Sequence, residues 1–178
     1  KKSRIVSGKE QGRTTLVPPV WTRDGKTLIF GRDDNGNEQY ELLQLELGSG
    51  SVKTINTPEG QNWPIEVSPD DQWLTFNNVS KQSQMNLWIA SLETGECRQL
   101  TKFDKPVHGG WWHPSGEWIV FPANDTDNME NADCYRIKPT GEGLEKFFSM
   151  HLGSQELGFG FDEAGEKMVI ASNASDYW

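Results

Sequence analysis

Three histidines, eight tryptophans and one dense acidic run carry most of the chemistry open to this 178-residue chain. In His108-Gly109-Gly110-Trp111-Trp112-His113 two imidazoles flank an indole pair, and Trp63 lies upstream after Gln61-Asn62. An indole beside an imidazole suits stacking on a sugar ring or a peptide side chain, so His108, Trp111, Trp63 and His113 are the candidate ligand-binding residues. The plainer alternative makes both histidines surface or turn residues with local hydrogen bonds. The acidic run is Asn124-Asp125-Thr126-Asp127-Asn128-Met129-Glu130-Asn131-Ala132-Asp133. Carboxylates and amides suit a hard cation, which makes Asp125, Asp127, Glu130 and Asp133 candidate metal ligands and a divalent cation the one cofactor to consider. The run lacks the glycine and glutamate of an EF-hand loop at the required places, and a solvated loop explains it as well. No Gly-x-Ser-x-Gly elbow is present, and Cys97 and Cys134 lack ligand spacing and read as ordinary half-buried thiols. No catalytic residue is assigned.

The elements that must position these residues come from an internal repeat. Val20-Trp21-Thr22-Arg23-Asp24-Gly25-Lys26-Thr27-Leu28-Ile29-Phe30 returns as Val67-Ser68-Pro69-Asp70-Asp71-Gln72-Trp73-Leu74-Thr75-Phe76, then from Trp112 to Phe121, and in degenerate form from Phe161 to Ile170. Taking Gly25, Asp71, Gly116 and Gly165 as equivalent turn positions gives steps of 46, 45 and 49 residues. Each copy reads as strand, tight turn, strand, with Gly or Asp supplying the left-handed turn residue. Third strands follow near Gln39–Leu45, Met85–Leu92 and Asp133–Ile137, and fourth strands near Ser51–Ile55, Cys97–Thr101 and Leu144–Phe148. Four short antiparallel strands at this period predict an all-β propeller of four-stranded blades, about three and a half of them, rather than a β-sandwich, which needs no repeated phrase. The units fall at about 15–58, 62–105 and 107–150, with an incomplete one at 154–178. Phe30, Phe76 and Phe121 recur at one strand position and are expected between blades, with Trp73 and Trp118 in similar roles. Trp111 and Trp112 are consecutive, so their rings must leave the strand on opposite faces.

Composition narrows the partners. Seventeen Lys and Arg against 26 Asp and Glu give a formal charge of −9, which disfavours nucleic acid and anionic lipid. No apolar run is long enough for a membrane span, and Lys1-Lys2-Ser3-Arg4 is not followed by the apolar stretch of a signal peptide.

The phrases Ser68-Pro69-Asp70-Asp71-Gln72-Trp73-Leu74-Thr75-Phe76 and Met85-Asn86-Leu87-Trp88-Ile89-Ala90-Ser91-Leu92, followed by Thr94-Gly95 and Arg98-Gln99-Leu100-Thr101, resemble the repeats of TolB-like propellers, a WD40-like group with a Ser-Pro-Asp-Gly cadence. The resemblance runs from about Thr15 to Ile170. It implies a periplasmic or extracellular setting and any of several roles, among them translocation scaffold, peptidase gate and pectin-fragment lyase. In the lyases several channel histidines hold a divalent cation; this chain has three, His108, His113 and His151, with Gln155 and Glu156 near the last. The first expectation is a non-catalytic scaffold binding a protein or peptide at its rim or channel mouth. The alternative is a propeller binding carbohydrate or uronate, and after it a metal-dependent lyase. The unfinished last unit points to a piece of a six- to eight-bladed ring, or to a second copy closing a ring of seven.

Overall fold

The same local turn founds each unit. A computed structural model of the chain describes residues 13–14, 18–33, 36–82 and 84–174. Backbone N–H groups of Gly25, Asp71, Gly116 and Gly165 donate to the carbonyls of Thr22, Ser68, His113 and Asp162 at 2.8–3.0 Å, closing four equivalent turns. Each needs a positive φ at its end, and Asp71 adopts 59° where the other units use glycine.

From these turns the strands run out as antiparallel meanders. The first unit contains β1 (Arg13–Thr14) and β2 (Val20–Trp21), both paired with β3 (Thr27–Asp33), then β4 (Glu41–Glu46) and β5 (Val52–Thr54). The second is β6 (Gln61–Val67), β7 (Trp73–Val79), β8 (Met85–Ser91) and β9 (Cys97–Gln99). The third is β10 (Trp111–Trp112), β11 (Ile119–Ala123), β12 (Asp133–Ile137) and β13 (Glu145–Phe148), and the fourth is the pair β14 (Glu156–Phe161) and β15 (Met168–Ser172). The fold is a partial, open β-propeller of about three and a half blades.

Period-two alternation sends the two faces of each blade to different neighbours. Ile29, Leu42 and Ile55 of the first blade pack on Val67, Leu74, Phe76 and Ala90 of the second. Leu87, Ile89 and Leu100 from the second blade's other face pack on Trp112, Ile119, Phe121, Tyr135 and Ile137 of the third. Phe103 sets its ring edge against Phe121 and Tyr135. Phe30, Phe76 and Phe121 are all buried, Trp73 packs on the second core, and Trp118 lies under the Arg136 guanidinium. The consecutive tryptophans do separate: Trp112 is 3% exposed in the core, while Trp111 turns towards Phe159 of β14, with ring centroids 6.3 Å apart.

Candidate functional site

The blade interfaces also fix the one segment that presents both an imidazole and an indole. From β7, Asn77 Nδ2 donates to the Gly109 carbonyl and Asn77 Oδ1 accepts from the Gly109 N–H, while Thr75 Oγ1 donates to the Gly110 carbonyl at 2.6 Å. Gly109 has φ 75°, and a Cβ there would lie 2.2 Å from the Trp111 ring; one on Gly110 would lie 2.4 Å from Leu87. The glycine pair is therefore what lets blades two and three close while Trp111 folds back over its own strand. On the far side, an irregularity in β14 between Gly158 and Gly160 leaves Phe159 out of register and against Trp111.

His108 stands at the head of this segment, exposed, and lines a cleft of about 280 Å³ between blades three and four. Lys105 and Pro106 border it from the connection into blade three, Met129 from the β11–β12 loop, and Gln155 and Leu157 from the start of β14. The side chains of Lys105, His108 and Gln155 make no hydrogen bond or ion pair with any described residue. Pro106, Pro122, Ala123, Met129 and Leu157 supply its apolar surface. A cation, an imidazole and a primary amide free of internal partners, set over apolar walls, can take a carboxylate or hydroxyl group with an aliphatic ring face.

The other residues singled out in the sequence lie elsewhere. Trp111 is not among the lining residues of the cleft and faces Phe159 instead. Trp63 is half-buried on β6, opposite Asn77. His113 serves the turn of its blade: Nδ1 is 2.8 Å from Ser115 Oγ, Nε2 is 3.1 Å from the Gly165 carbonyl, and the ring meets Phe161 edge-on. His151 is an exposed loop residue whose carbonyl accepts from Ser154 Oγ.

The acidic run is organised around an ammonium group. Lys146 Nζ, reaching over from β13, lies 2.6 Å from Asp133 Oδ2 and 3.2 Å from Asp125 Oδ1. Burial pushes the Asp133 carboxyl up, but hydrogen bonds from Lys146, Ser149 and Asn131 outweigh it and hold the group below the ordinary carboxylate range. Asp127 and Glu130 are exposed. Among the described residues no group of three or more His, Cys, Asp and Glu side chains could hold a metal ion. The described histidines do not converge and Lys146 already pairs with Asp125 and Asp133, so the residues present do not fit a histidine-held divalent cation.

Lys105 and Gln155 matter to this site because their side chains meet no polar partner among the described residues, which no spacing in the sequence reveals. Gln155 was legible only as a neighbour of His151.

Comparison with known proteins agrees with the architecture. No family model matches the chain. An uncharacterized protein of Agrobacterium fabrum is 28% identical over 115 residues, covering 62% of this chain and 37% of its own length. Oligogalacturonate lyase from Vibrio parahaemolyticus superposes with a TM-score of 0.73 at 14% identity, over 94% of this chain and 48% of that one. TolB from Acinetobacter baumannii gives 0.60 at 17% identity, over 79% of this chain and 34% of that one. These likenesses establish a propeller-type fold, and the chain spans half or less of each protein compared.

Proposed function

We propose that this stretch of propeller binds an acidic carbohydrate, a uronate-bearing oligosaccharide, in the cleft between blades three and four. The observation that carries the reading is that the side chains of Lys105, His108 and Gln155, set around an apolar cleft, have no polar partner among the described residues. In a chain of formal charge −9, a free lysine at a concave surface marks a place where an anion is welcome. The carboxylate meets Lys105 and His108, the Gln155 amide takes a hydroxyl, and the C–H face of the ring lies on Met129 and Leu157. The likeness to a lyase named for oligogalacturonate supports the choice of acid. It supplies no catalytic residue, and none is assigned.

Calorimetric titration of the chain with oligogalacturonate, a neutral oligosaccharide of equal length and an acidic peptide tests this reading. Saturable binding of the uronate, weakening with salt and falling about tenfold in His108→Ala or Lys105→Ala, is expected. Equal affinity for the neutral sugar at this cleft, or indifference to both substitutions, would sink it.

A protein or peptide partner is the second reading. Leu144 just before β13, Phe147 and Phe148 on it, and Met150 and Leu152 in the loop after it are exposed. Tighter binding of the peptide than of the uronate would favour it.

A further inference from the structure

The propeller has a second cleft built from the same parts. Between blades one and two, the β3–β4 loop, the β5–β6 connection and Lys81 border an open cleft of about 630 Å³, within the range of small-molecule sites. It shares no lining residue with the cleft at His108. We infer that this second cleft binds a neutral sugar unit through Gln39, Tyr40, Asn56 and Thr57.

Its walls are set in advance. The buried Asn62 donates from Nδ2 to the Tyr40 carbonyl at 2.8 Å and to the Pro58 carbonyl at 3.0 Å, tying the two sides together. Asn78 Nδ2 in turn donates to Asn62 Oδ1 and to the Glu59 carbonyl. Against that fixed backbone, the side-chain polar groups of Gln39, Tyr40, Asn56 and Thr57 make no hydrogen bond with a described residue. Two amides and two hydroxyls offer donors and acceptors together, which matches a hydroxyl-rich ligand, and the half-buried Tyr40 ring adds an apolar face for the C–H side of a pyranose. Charge selects against an acid here. Lys81, the one cation among the described lining residues, is bound to Glu59 at 2.5 Å, and Glu41 also lines the cleft. The cleft at His108 has the opposite character, so the two sites should sort acidic from neutral sugars.

The inference stands apart from the proposed function, and amide NMR of the labelled chain separates them. A neutral galacto-oligosaccharide should shift the amides of Gln39, Tyr40, Asn56 and Thr57 saturably. Tyr40→Ala and Asn56→Ala, the latter at an exposed position that spares the core, should each weaken binding about tenfold, and Tyr40→Phe by less. His108→Ala should change nothing here. Shifts confined to the cleft at His108, no saturable shifts with neutral sugars, or full affinity in Asn56→Ala and a folded Tyr40→Ala would overturn the inference.

Discussion

Asn77 grips the backbone of Gly109 from the neighbouring blade, its Nδ2 donating to the carbonyl at 3.0 Å and its Oδ1 accepting from the N–H at 2.8 Å. A side-chain amide thus replaces the strand pairing that two separate sheets cannot make. Both Gly109 groups are buried, so Asn77→Ala strands a donor and an acceptor together. The expected loss is about 2–4 kcal/mol, read from urea unfolding midpoints, with weakened ligand binding at His108 even where the variant is folded. Asn77→Asp keeps the acceptor but turns a buried carboxylate oxygen against the Gly109 carbonyl, so it should cost at least as much as Asn77→Ala. If Asn77→Ala matched the parent chain, the clamp would be incidental.

Lys146 holds two carboxylates that would otherwise repel. Its side chain is 36% exposed and that of Asp133 is 2% exposed, so solvent screens one end of the pair only. Lys146→Met should cost about 1–3 kcal/mol, less than the removal of a fully buried partner. The pH dependence has a definite sign. Because the folded Asp133 carboxyl lies below its unfolded value, its contribution is present above the usual carboxylate range and fades as pH falls through the folded value. Acid unfolding of Lys146→Met, followed by tryptophan fluorescence, should therefore show a shallower loss of stability on the acid side than the parent.

The fold was legible because one local event repeats. Thr22, Ser68, His113 and Asp162 each open the same turn, and the apolar alternation after it assigns each strand its faces. Candidate ligands were harder to read, since a polar residue's role depends on what it meets across an interface. His113 looked like a partner of Trp111 by proximity in sequence, yet its ring goes to Ser115 and Gly165. Asp125 and Asp133 looked like metal ligands because the lysine that pairs with them arrives from the next strand, where Lys146 lies opposite Tyr135. Lys105 was invisible for the opposite reason: nothing in a sequence shows that a lysine will be left alone.

Asp71 is the position where the second repeat abandons glycine, and the structure supplies the reason. Its carboxylate accepts the backbone N–H groups of Arg23 at 2.6 Å and Asp24 at 3.1 Å, clasping the turn of the preceding blade. Asp71→Gly would relieve a left-handed aspartate but lose both bonds. The relief amounts to about 0.5–1 kcal/mol and the bonds to about 1–2 kcal/mol, so the variant should be slightly less stable by thermal unfolding. Asp71→Asn, which keeps one acceptor oxygen and tolerates the same φ, should lose less than Asp71→Gly. A stabilised Asp71→Gly would mean that turn strain outweighs the clasp.

The two cysteines give a test of packing that needs no ligand. Burial pushes both thiols up to about 11, Cys97 between blades one and two and Cys134 on β12 against the Glu156 carbonyl. At pH 8 only about a thousandth of each is thiolate, and the nucleophile that an alkylating reagent needs is nearly absent. Iodoacetamide should therefore modify neither residue appreciably in the folded chain and both rapidly in urea. Cys134 is fully buried and Cys97 is not, so Cys97 should react first as denaturant rises, with mass spectrometry of peptides resolving the order. Early modification of Cys134 would show that the interface between blades three and four opens before that between one and two.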